Sequence, residues 1–173
     1  IDRARERDDS GWPPWWEVLD ADEELLSAEQ ELEAQSSFDI SNVSDNRKRA
    51  MQAIVKRMGQ GRFRQDVLDA YGGKCAVTGY SSRYALEACH IIPYLGDETN
   101  HVNNGILSRA DIHTLFDLGK IAIDSSDMTV VLSPELLNTE YENLNKKHVL
   151  LPEDSAKKPD YDALNQHRKG HGL

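Results

Sequence analysis

No stretch of the 173-residue chain approaches the ~18 consecutive apolar residues of a membrane helix, so no membrane span is expected. The first residues, IDRARERDDSGW, lack the apolar run of a secretory signal. Only two cysteines occur, Cys75 and Cys89. That is too few for a disulfide framework and fits a reduced, cytoplasmic setting. Aromatic residues are scarce, at 7%, and all three tryptophans fall in one WPPWW run, Trp12 to Trp16. Apolar residues reach 39%, enough for one modest core with part of the chain lying outside it. Ile1 stands where an initiator Met would, which fits a piece of something longer.

Charge is present in quantity but unevenly placed. The formal net charge is −10, and residues 1–44 account for all of it, with 13 acidic residues against 3 basic ones. Residues 46–83 carry nine basic residues against Asp66 and Asp69 alone. Within this block Lys48, Arg49, Arg57, Arg62 and Arg64 are the candidate nucleic-acid contacts, since a local positive field attracts phosphate whatever the average charge. A solvated helix face is the plainer reading of the same pattern.

The chain divides at residue 44. Residues 1–44 read as an acidic, Trp-containing linker or docking arm. Pro13 and Pro14 forbid a helix around the tryptophans, and Leu25, Leu26 and Leu32 are too few to fold alone. From 45 onward one domain is expected. Two helices are predicted over 45–58 and 62–71, the second with Phe63, Val67, Leu68 and Tyr71 apolar and Gly72-Gly73 as its stop. KCAVTGY reads as a strand and turn, and YALEACHIIPY as an extended run stopped by Pro93. Residues 108–118 read as a helix capped by Ser108 and closed by Gly119. KIAID and TVVLS form a hairpin. Ser133-Pro134 opens a helix predicted to reach about Asn145, and DYDALNQHR forms a last one.

Three places gather His, Asn and Asp: His90, Asn103-Asn104, and His113 with Asp117. The last two are spaced i, i+4, so both side chains leave the helix on one face and can share a metal ion. His90 suits a general base, because the unperturbed imidazole titrates near ~6.5.

LEACHIIPY followed by NNGILSRADIHTLFD resembles the HNH endonuclease family, in the branch found in bacterial restriction and other anti-phage systems. The motif blocks cover roughly residues 62–132. SPELLNTEY and the late His167-Arg168 extend the likeness to about 46–168. The resemblance implies an α+β fold: a ββα-metal core with flanking helices and an extra β-hairpin. It implies a DNA endonuclease using a divalent metal, Mg²⁺ or Mn²⁺, with Zn²⁺ or Ni²⁺ as alternatives. His90 takes the place of the general base, Asn104 of the residue that orients it, with Asn103 as the fallback, and His113 and Asp117 of metal ligands. Cys89 stands where many members have a ligating Asp or His. It is either a soft third ligand or a small buried side chain. Glu87, one alternation away, is placed to support the site, and His101 to touch phosphate, whereas His148, His167 and His171 read as structural or exposed. The zinc ribbon of some members is missing, so Cys75 should simply pack. DNA specificity would come from an upstream domain, other subunits or a guide complex of the restriction or CRISPR type. The alternative is an HNH-like module that binds nucleic acid or assembles but no longer cuts.

Replacing Lys48, Arg49 and Arg57 with Ala is expected to weaken DNA binding about equally across sequences. The salt slope should fall by ~0.9 for each phosphate that is no longer neutralised. A slope unchanged in fluorescence anisotropy titrations would turn this face towards solvent or a protein partner.

Overall fold

A computed structural model describes residues 49–54, 61–93 and 99–173, all within the unit Phe38–Leu173. Residues 49–54 are helical. Helix α1, Gly61–Ala70, buries Phe63, Val67 and Leu68, the i, i+4, i+5 stripe that holds it to the core. It ends where Gly72 and Gly73 take left-handed φ values of 57° and 66°. Strands β1, Leu86–His90, and β2, Gly105–Arg109, pair antiparallel, with His90 opposite Gly105 and Glu87 opposite Ser108. Helix α2, Ala110–Asp117, follows β2 directly. Strands β3, Ile121–Asp124, and β4, Thr129–Leu132, form a second antiparallel pair. Helix α3, Tyr161–Gly170, starts at Asp160, whose Oδ1 accepts from Ala163 N. The fold class is α+β. Among the described residues no helix is long and apolar enough to cross a membrane.

The β1–β2 ribbon has a helix on each face. Opposed residues of an antiparallel pair share a face, so the pairing sorts the side chains. His90, Ala88 and Gly105 turn towards α1, whereas Glu87, Cys89, Ile106 and Ser108 turn towards α2. At Gly105 helix α1 packs directly on the strand backbone. A Cβ there would lie 2.5 Å from Val67 Cγ2 and 3.0 Å from Phe63 Cζ, so only glycine admits the helix. Arg64 ties the same helix to the strand, donating to Leu86 O at 2.7 Å and Arg83 O at 3.3 Å.

Several local expectations change. Residues 74–80 form a turn, not a strand, because the segment closes on itself: Cys75 N donates to Tyr80 O and Gly79 N to Cys75 O. Cys75 is fully buried there, and its sulfur accepts from Thr78 N. Ser108 belongs to β2, and the residue before α2 is Arg109, which makes no side-chain cap. The helix predicted from Ser133 lasts only for the turn Pro134–Leu136. Ser133 does cap it, accepting from Glu135 N, but Leu137 is extended and Asn138 is left-handed at φ 68°, which ends the run. A second short turn follows at Glu142–Leu144. The arm at 1–44 lies outside the described residues, as do Lys48 and Arg57 of the basic block.

Helix α3 is fastened to α2 by a buried imidazole. His167 stacks on Phe116, with ring centroids 3.7 Å apart and planes 6° from parallel, and its Nε2 donates to Phe116 O at 3.0 Å. Burial, helped by the neighbouring His171 and opposed by the Phe116 carbonyl, lowers its pKa to about 3. The folded state therefore refuses a proton that the unfolded chain accepts near ~6.5. The contribution is complete above that pH and shrinks as the pH falls towards 3, by up to about 5 kcal/mol. Thermal melts across this range should show the loss, and His167→Leu, which keeps bulk without a titrating group, should flatten it. An equally steep profile in the variant would assign the acid sensitivity elsewhere.

Candidate active site

His90 ends β1 with its ring laid on Phe63 of α1, centroids 4.1 Å apart and planes 12° from parallel. Its Nε2 lies 3.0 Å from Asn100 Oδ1. An amide oxygen only accepts, so Nε2 carries the ring proton and Nδ1 is the basic nitrogen. Burial pushes the ring below the ordinary imidazole range. The Asn100 bond acts against that shift, and the nearby His113 adds to it. The net effect keeps His90 unprotonated at neutral pH, as a base must be.

The second group is built from β1 and α2. His113 Nδ1 meets Glu87 Oε2 at 2.7 Å, and its Nε2 lies 3.3 Å from Asp117 Oδ2, the i, i+4 neighbour. Glu87 is buried on the strand, and Asp117 is open to solvent. Cys89, two residues from Glu87 and on the same face, is fully buried. Donor atoms of Cys89, His113 and Asp117 all lie within 4.8 Å of one another. Ligand atoms on one metal ion stand roughly 3–4 Å apart, so small side-chain movements close this trio around an ion. The donors fit in kind as well. With Glu87 holding Nδ1–H, His113 presents the Nε2 lone pair outward, the arrangement in which a carboxylate fixes a ligating imidazole. Burial, with the Asp117 and Glu87 carboxylates close by, raises the Cys89 thiol well above its usual range. Without a cation the sulfur therefore stays protonated and donates weakly to His90 O at 3.6 Å.

The asparagines divide their work in a way that spacing does not reveal. Asn104 Oδ1 accepts from Ile92 N at 2.8 Å, and its Nδ2 donates to Ile92 O and Thr99 O, both at 3.0 Å. Its side chain thus ties down the backbone leaving His90, and the amide that meets the imidazole belongs to Asn100. Asn103 turns away to the C-terminal segment, donating to Ala156 O and Lys158 O. Asn100 has no signal in the sequence beyond its place in a polar loop.

The basic candidates are equally distinct. Arg62 is exposed on the first turn of α1, Arg49 is exposed on the described helical stretch, and the Arg64 guanidinium is half-buried in its two carbonyl contacts. His101 is exposed beside Asn100. His148 is exposed, with Nδ1 3.2 Å from Asp127 O.

Residues 75–124 match the HNH endonuclease family. The matched segment carries the similarity to HNH endonucleases. It runs from the turn at Cys75 to the end of β3 and holds His90, Asn104, His113 and Asp117, with Glu87, Cys89 and Asn100 beside them. A comparison with curated proteins finds no match to the chain.

Glu87→Gln replaces the acceptor that orients His113. Isothermal titration with Mn²⁺ is expected to show affinity lowered by roughly 10–100-fold, with the fold retained. Unchanged affinity would mean that the Glu87–His113 bond serves the fold alone.

Proposed function

We propose that the chain is a metal-dependent HNH endonuclease module that hydrolyses DNA phosphodiester bonds. The observation that carries this reading is the placement of His90, held by Phe63 and Asn100, next to Cys89, whose sulfur lies within 4.8 Å of donor atoms of His113 and Asp117. His90 Nδ1 takes a proton from the water that attacks phosphorus. Phe63 and Asn100 prevent the ring from turning, and Asn104 fixes the backbone that carries it. His113, Asp117 and Cys89 would hold a divalent cation, with Glu87 keeping His113 in the required tautomer. When bound, the cation supplies Lewis-acid polarisation of a phosphate oxygen and stabilises charge on the leaving group. Its identity is Mg²⁺ or Mn²⁺, with Zn²⁺ or Ni²⁺ favoured to the extent that the Cys89 sulfur takes part.

Arg49 and Arg62, with Lys48 and Arg57 of the same block, supply phosphate contacts that position the duplex without reading its sequence. Arg64 contributes by holding α1 against β1. A ribbon and one short helix read little sequence. We therefore place the module as the effector of a prokaryotic anti-phage system of the restriction or CRISPR type, acting in the cytoplasm and targeted by an upstream domain or further subunits. The acidic arm at 1–44 is the segment through which such an assembly would form.

His90→Ala is expected to lower nicking of supercoiled plasmid in Mg²⁺ or Mn²⁺ by at least ~10²-fold while melting and metal affinity stay as they were. Full activity in the purified variant would remove His90 from the base role. An inactive wild-type protein that still binds DNA would favour the silent binding module.

A further inference from the structure

Lys157 is far from the catalytic residues in the chain, yet it is held at their edge. Asn103 Nδ2 donates to Ala156 O at 2.8 Å and to Lys158 O at 2.9 Å, and Asn103 O accepts from Asp160 N at 2.8 Å. One asparagine therefore grips the backbone on both sides of Lys157. Its neighbour Asn104 shapes the loop that follows the base. The turn Ser155–Lys157 becomes a wall of the site.

That wall closes an open cavity of about 850 Å³. Phe63 and Asn100, which stack on and bond to His90, also line it, so the cavity shares two sides with the base. Its polar groups are sorted by wall. On the α1 side stand Arg62, Asp66 and Asp69. Asp66 lies 4.0 Å from Arg62, and Asp69 accepts from Gln65 at 2.8 Å. On the opposite side His101 and Lys157 arrive from two separate segments, and the Lys157 ammonium stands 3.8 Å from Asp154, a loose pair on its own turn. The α1 wall thus carries two carboxylates beside one guanidinium, and the opposite wall carries an ammonium and an imidazole with no lining carboxylate.

A nucleotide has the complementary polarity, with an anionic phosphodiester at one end and base N–H donors at the other. A lone inorganic anion would be repelled by Asp66 and Asp69. We propose that this cavity receives the nucleotide next to the scissile phosphodiester of the DNA strand, its phosphate on Lys157 and His101 and its base towards the α1 carboxylates. The proposal rests on the nuclease reading above. Lys157 is then a binding residue, and Asn103 a positioning residue acting through it.

The test is binding of a short duplex by the full chain, with EDTA present so that no cleavage intrudes, across a range of salt. Lys157→Gln should weaken binding roughly threefold to tenfold and reduce the salt slope by ~0.9, the mark of one phosphate left without its cation. Asn103→Ala, which keeps the lysine but frees its turn, should reproduce both changes. Lys147→Gln, an exposed lysine outside the cavity, should alter neither. Equal effects from Lys147→Gln and Lys157→Gln would overturn the subsite in favour of general surface charge, as would weaker binding at an unchanged slope. If the unmutated chain binds no duplex at any salt, the nuclease reading falls and the subsite falls with it.

Discussion

Glu87 is a carboxylate sealed between a strand and a helix, and an unpartnered group of that kind costs several kcal/mol. His113 satisfies it at 2.7 Å. Because Glu87 is on β1 and His113 on α2, the bond sets the rotation of the helix over the ribbon. The rest of the donor set depends on that rotation. Asp117 lies one turn beyond His113, and Cys89 is the next residue of β1 on the same face. A helix turned by one residue would carry His113 and Asp117 together away from Cys89.

The opposite face of the ribbon is set by size, not by polarity. Gly105 lets α1 approach until Phe63 meets the His90 ring. The candidate base and the Cys89 donor thus occupy opposite faces of one short ribbon, on consecutive residues at its end. Two constraints of different kind, a hydrogen bond and a missing Cβ, place them independently.

Features that depend on neighbouring residues were legible in the sequence. The α1 stripe and its glycine stop, the β3–β4 hairpin, the Asp160-led helix and the i, i+4 pair of His113 and Asp117 all follow from local periodicity and turn chemistry. Features that depend on distant partners were not. Ser133-Pro134 is a sound helix opening, but Asn138 adopts a left-handed conformation that no local rule demands. Asn100 and Asn103 look like other polar loop residues until His90 and the 155–158 turn are seen against them. Arg64 counts as one of a basic run, yet its guanidinium is occupied with the carbonyls of Leu86 and Arg83. Composition counts charges; burial decides which remain for a ligand.

The segment matched to the HNH family holds the candidate site residues but not all of their supports. Phe63 lies before it, and His167, which stacks on Phe116, lies after it. Both flanks therefore help hold the matched segment in its observed arrangement. A recombination event that moved residues 75–124 alone into a new host protein would transfer the chemistry without the rings that hold it in place. The workable exchange boundaries lie outside α1 and α3.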